Sequence, residues 1–183
     1  MKRKKYDPEI YDLNLHNILI QTTNLSLYEQ VTKKDIIQVL RVRKLPRSFF
    51  ELKMNRIKTI EPIVCKWLEN AHFEQIEIHS VRKIEDSALT YLAKSKSMLE
   101  LGLTSLNEKQ AKILVKYHRA ALVFINLKKI SFPVAHILSN YQGNILDFPA
   151  ITSVEPEVFK QLSAYKGDFL TIGALKQKAN YNN

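Results

Sequence analysis

Residues able to carry out covalent or acid–base chemistry are few in this chain of 183 residues, and their spacing is poor for it. The single cysteine, Cys65, excludes a disulfide framework or a multi-cysteine metal knot. It lies in an apolar column of a repeat, which assigns it a buried packing role. The histidines at 16, 72, 79, 118 and 136 form no H-E-x-x-H and no paired spacing. Glu77 and His79, two residues apart, would share one face of a strand, where a solvated pair is expected rather than a metal or acid–base site. With 4 glycines in the chain, neither G-x-G-x-x-G nor a phosphate-binding loop is present. These residues point to a protein that is not an enzyme and has no cofactor or metal site.

Two further groups have binding chemistry. Tyr117, Tyr141 and Tyr165 recur every 24 residues. They are expected to stack as a packing ladder with their hydroxyls reaching water, the alternative being a platform for nucleotide bases. Arg41, Arg43, Lys44 and Arg47 in "RVRKLPR" form a basic patch with Lys33 and Lys34 nearby. Cations at a helix C-terminus complement its dipole, and they can also attract nucleic acid or an anionic surface. The net charge is +10, and up to Lys58 there are 13 Lys or Arg against 6 Asp or Glu, so the excess belongs to the N-terminal third. No apolar run reaches the roughly 18 to 20 residues of a membrane span, and the basic start is followed by Tyr6-Asp7-Pro8-Glu9 rather than by a signal-peptide core. A cytoplasmic protein is the default expectation, with secretion by a route that needs no N-terminal signal peptide left open.

The elements that must position these residues follow from a repeat. Tyr-Gln-Gly-Asn-Ile-Leu-Asp-Phe at 141–148 returns as Tyr-Lys-Gly-Asp-Phe-Leu-Thr-Ile at 165–172. Traced backwards, the apolar anchors Val154, Ile130, Leu106, Ile84 and Ile60 stand 24, 24, 22 and 24 residues apart. Ahead of each anchor the phrase L-x-L-x-x-L-x-x-L recurs, as in Leu52, Met54, Ile57, Ile60 and in Leu122, Phe124, Leu127, Ile130. The copy "MLELGLTSL" is one residue short, so the register of its strand is open at this point. A last partial copy has Leu170, Ile172 and Leu175.

Behind each anchor the spacing turns helical. Leu68, Leu92, Leu114, Leu138 and Leu162 form one column, and Cys65, Leu89, Ala111, Ala135 and Phe159 another. Pro62, Asp86, Glu108, Pro133 and Pro156 suit first helical turns, where the amide is unpaired and the dipole favours negative charge. Gly143 and Gly167 stand where left-handed helix caps are expected. Each unit is thus a strand, a turn and a helix. A strand of about five residues and a helix of about ten are both roughly 15 Å long, so they can run side by side and close one coil. Strands stack about 4.8 Å apart and helices about 8 to 10 Å, which predicts an α/β right-handed curved solenoid with a parallel sheet on the concave face and helices on the convex face.

The pattern resembles the leucine-rich repeat family, in particular the bacterial repeats of about 22 to 24 residues with a full helix. The resemblance spans about residues 50 to 175, with Ile57, Val81, Leu127 and Ile151 where the best-known forms carry Asn or Cys. It implies a strand-lined concave surface for protein recognition and no catalytic activity. The expected organisation is a basic N-terminus (1–5), an N-terminal cap with a degenerate repeat (6–48), the solenoid (49–175) and a flexible tail (176–183). Within the cap, Thr32–Lys44 reads as a capped helix, and Leu13–Gln21 and Leu25–Leu27 read as strands.

Stacking predicts which side chains line the recognition face. The residue between the first two apolar positions of each strand points away from the core, which aligns Lys53, Glu77, Glu100, Val123, Asp147 and Thr171. Two residues on, Asn55, His79, Gly102, Ile125, Pro149 and Gly173 form a second column. Glu77 beside Glu100 is an unfavourable like-charge pair, and Val123 with Ile125 is read as an exposed aliphatic pair beside acids. The expected function is a protein–protein interaction module, a scaffold or adaptor, that binds through Lys53, Glu77, His79, Glu100, Val123, Ile125 and Asp147. Nucleic-acid or anionic-surface binding through Arg41, Arg43, Lys44 and Arg47 is the alternative.

Overall fold

The computed structural model of the chain describes residues 22–24, 51–69, 73–173 and 175–178. Strands and helices alternate as the repeat predicts: β1 (Thr22–Asn24), β2 (Glu51–Lys53), α1 (Pro62–Glu69), β3 (Gln75–Ile78), α2 (Asp86–Leu92), β4 (Met98–Leu101), α3 (Glu108–Leu114), β5 (Ala121–Phe124), α4 (Phe132–Leu138), β6 (Ile145–Phe148), α5 (Pro156–Leu162), β7 (Phe169–Ile172) and β8 (Leu175–Lys178). All eight strands lie in one sheet in sequence order, with β1 to β7 parallel. From β2 to β7 every strand is joined to its neighbour by one helix, which is the connection a parallel pair requires. The helices, at 7 or 8 residues, and the strands, at 3 or 4, are shorter than the expected ten and five. The basic patch at 41–47, the helix over Thr32–Lys44, the strands over 13–21 and 25–27, and His16 and His72 lie outside the described residues.

Among the described residues one core runs from β2 to β7. Leu52, Ile76, Ile78, Leu99, Leu101, Leu122, Phe124, Leu146 and Phe148 face it from the strands and Met54 from just beyond β2, and the helix column Leu68, Leu92, Leu114, Leu138, Leu162 is fully buried opposite them. Phe124 and Phe148 stack across adjacent coils with centroids 5.3 Å apart. The helices begin where the sequence places them: Pro62, Asp86, Glu108 and Pro156 open α1, α2, α3 and α5, and Pro133 lies in the first turn of α4. The short repeat resolves simply. Leu99 and Leu101 pair with Ile76 and Ile78, so the missing residue falls in the turn at Gly102 and the strand register is preserved.

The recurring Tyr-x-Gly phrase has a packing cause. Tyr117, Tyr141 and Tyr165 stack with centroids 6.0 and 6.1 Å apart and planes within 7°. Their hydroxyls do not reach water as expected: each donates to a carbonyl of the preceding coil, Tyr117 to Ser97, Tyr141 to Arg119 at 2.5 Å and Tyr165 to Gly143 at 2.6 Å. Burial pushes all three phenols above their ordinary titration range. Gly143 and Gly167 are not left-handed caps; among the described residues only Gly173 has a positive φ, and the helix C-caps before them, Ser139 and Ser163, are right-handed. Glycine is needed because a Cβ at 143 would overlap the Arg119 carbonyl and the Tyr141 ring hydroxyl, and one at 167 would overlap the Tyr165 hydroxyl.

The C-terminal end of the sheet departs from the expectation of a wholly parallel sheet and a loose tail. Gly173, at φ 54°, supplies the left-handed residue that a two-residue hairpin loop needs. The chain turns back, and Leu175–Lys178 pairs antiparallel with β7, Ile172 opposite Leu175 and Phe169 opposite Lys178. Lys176, Gln177 and Lys178, expected to be loose, are therefore part of the sheet, and Leu175 opens a return strand rather than a further repeat.

Candidate functional site

The sheet face turned away from the helices is ordered by strand register. Lys53 lies opposite Glu77, Glu77 opposite Glu100, Glu100 opposite Val123, Val123 opposite Asp147 and Asp147 opposite Thr171, as the stacking predicts. Two residues earlier in each strand a further outward column runs Glu51, Gln75, Met98, Ala121, Ile145, Phe169. That column was not predicted, although the same period-2 alternation would have found it.

The face divides into two halves. Over β2 and β3, together with Glu100 of β4, it is polar and hydrogen-bonded. Glu77, 5% exposed, accepts from Lys53 Nζ at 2.9 Å and from Asn55 Nδ2 at 3.0 Å, and Lys53 also reaches Glu51 at 3.1 Å. Gln75 Nε2 donates to Glu100 at 2.7 Å and to Glu77 at 3.3 Å, so an amide is inserted between the two acids. The like-charge conflict expected at this pair is offset by that bridge and by Lys53. His79 is not paired with Glu77 in a solvated contact; its Nε2 lies 2.7 Å from Glu100. Gly102 next to it is set by close approach, since a Cβ there would overlap the His79 carbonyl. Asn126 Nδ2 donates to that carbonyl at 2.8 Å, tying the turns of three coils together.

Over β4 to β7 apolar side chains gather around Glu100, Asp147 and Thr171. Met98, Ile125 and Ile145 are half-buried, and Phe169 is 48% exposed. Val123, expected to be exposed, is 8% exposed, because the longer side chains of Glu100 and Asp147 flank it on the two adjacent strands.

Titration follows from the network. Burial alone would raise the Glu77 carboxyl, but hydrogen bonds from Asn55 and Lys53, with the Lys53 charge, outweigh it and hold the group below the ordinary value. Hydrogen bonds to Glu77 and Glu51 raise the Lys53 ammonium. The Glu77 contribution is therefore complete above the unfolded carboxyl range, about pH 4.3, and is lost as pH falls through the folded value. The Lys53 contribution is complete below the ordinary lysine range and is lost as pH rises through its folded value. Glu77→Gln is expected to cost about 1 to 3 kcal/mol at pH 7. The gap to wild type in urea midpoint should narrow by pH 3, and a gap independent of pH would remove the charge of Glu77 from the account.

Among the described residues, Glu77, His79 and Glu100 could bring three ligand atoms to one metal ion, all within 4.8 Å of one another. As they stand, Lys53, Asn55 and Gln75 occupy the two carboxylates, and the trio is part of a hydrogen-bonded network. Cys65 is fully buried, and burial pushes its thiol up to about 12, as suits a packing residue. His118 and His136 are exposed, the latter against Phe132 on the outside of α4. A cleft of about 500 Å³ lies at the strand-to-helix turns between Lys83, Asp86, Asn107 and Gln110. Of its polar groups, Asn107 and Gln110 form a capping box, and Asp86 pairs with Lys109 at 2.7 Å.

No protein-family model, no curated protein and no solved structure matches the chain. Among the described residues no helix is long and apolar enough to cross a membrane.

Proposed function

We propose that the protein is a non-catalytic protein–protein interaction module whose coils stack into a right-handed curved solenoid of the leucine-rich-repeat type. The partner seats on the concave strand face. The curvature follows from the mismatch between strands about 4.8 Å apart and helices about 8 to 10 Å apart. A cytoplasmic setting, as the sequence suggests, belongs to the same proposal.

The observation that carries this reading is the apolar half of the sheet face. Met98, Ile125, Ile145 and Phe169 leave hydrocarbon in water on a surface whose other half is a satisfied polar network. A solvated face with no partner would be served by polar residues at these positions.

Ile125→Lys with Phe169→Lys places two charges in the patch at positions that have room for them, which nearly buried Val123 lacks. Proteins captured from lysate by wild type at moderate salt should be retained at least tenfold less by this variant, about 1.4 kcal/mol. The urea midpoint should stay close to wild type. Capture that survives the double variant but is lost when Arg41, Arg43, Lys44 and Arg47 are changed to Glu would move the site to the basic N-terminal third. Recovery of nucleic acid with that second pattern would replace the reading by the alternative one.

A further inference from the structure

The chemistry of the sheet face also selects the kind of segment that fits it; this step rests on the proposed function. Between β2 and β7 the outward columns carry the acids Glu51, Glu77, Glu100 and Asp147 against one lysine, Lys53, a formal charge of −3 on a chain of net +10. Lys53 is held between Glu51 and Glu77 at the β2 end. The acids nearest the apolar residues are Glu100 on β4 and Asp147 on β6, on either side of Val123. Between β2 and β7 the face is thus an apolar strip with acids at its centre.

Backbone chemistry narrows the occupant further. The amides and carbonyls of β2 to β7 are committed to the ladder between strands, so the face offers side chains and no free sheet edge. An extended peptide laid across it would bury its own amides without partners. A helix satisfies its amides internally and can present apolar residues at i, i+3, i+4 and i+7. Five strand spacings at about 4.8 Å span roughly 24 Å, the length of about 16 helical residues at 1.5 Å each.

We propose that the occupant is an amphipathic helix of a partner protein, about 16 residues long, with its apolar stripe on Ile125, Ile145 and Phe169 and a lysine or arginine placed over Glu100 and Asp147. Charge complementarity and the need for a self-satisfied backbone lead to the same class of segment.

A phage-displayed library of random 16-residue peptides tests this without knowledge of the partner. The library is panned on the full chain and counter-screened on Ile125→Lys/Phe169→Lys. Peptides lost on that variant should be cationic with apolar residues at helical spacing. Their synthetic forms should gain helical circular dichroism on binding and bind at least tenfold more weakly to Glu100→Gln/Asp147→Asn, a variant whose urea midpoint is checked alongside. Face-dependent peptides that are acidic or neutral, that stay non-helical, or that ignore Glu100→Gln/Asp147→Asn would overturn the inference and leave the face as the binding site. Enrichment with no peptide sensitive to the face variant would overturn the inference and the face as the site together.

Discussion

Leu138→Ala is expected to cost about 2 to 5 kcal/mol, measured as a lowered urea midpoint. The side chain is fully buried in the interior of the helix column, between Leu114 of the preceding coil and Leu162 of the following one. Removing it leaves a cavity that both neighbours line. The coils are held by their own strands and helices, so neither can close the gap without moving a backbone that is paired on its other side. Leu175→Ala gives the comparison. Leu175 opens the return strand at the end of the sheet, where among the described residues only β7 pairs with it. A smaller loss is expected there, and equal losses, or the reverse order, would argue against a linear stack with Leu138 in its interior.

Gly143→Ala is expected to cost about 3 kcal/mol or more, although it adds one methyl group in a turn. That methyl would overlap the Arg119 carbonyl and the hydroxyl end of Tyr141, which are bonded to each other. The Gly143 carbonyl in turn accepts from Tyr165, so a shift of residue 143 disturbs the next coil as well. Tyr141→Phe in the same chain should not rescue it, because the methyl would still meet the Arg119 carbonyl and the ring carbon beneath the hydroxyl. Gln142→Ala, at the exposed neighbour, is the control and should stay within about 0.5 kcal/mol of wild type. A Gly143→Ala midpoint as high as the control would show that the tyrosine ladder can slide.

The period of the repeat, the alternation of strand and helix, the buried columns and the outward column from Lys53 to Thr171 were all legible in the residues alone. Each is a local consequence of apolar spacing: a coil needs a buried residue at every inward position, and the periods of 2 and 3.6 report which positions those are. Even the one-residue deletion at Gly102 left the column readable, because it falls in a turn. The outward column through Met98, Ile145 and Phe169 obeys the same rule and was equally accessible.

The partners of polar groups were not legible. Gln75 reaches Glu100 across 25 residues, His79 reaches Glu100 across 21, and Tyr141 finds the Arg119 carbonyl 22 residues back. Spacing tells which face a side chain is on, whereas its partner is whichever group a neighbouring coil brings within about 3 Å. For the same reason Val123 is buried although its position points outward, since exposure depends on the bulk of Glu100 and Asp147 beside it. The return of the chain at Gly173 was hidden too: Leu170, Ile172 and Leu175 fit a continuing repeat as well as they fit a hairpin, and the left-handed φ that separates the two belongs to the folded backbone. Apolar periodicity in the sequence determined the order of the coils; only the tertiary structure decided which polar side chains meet, because those contacts are made between coils and not within them.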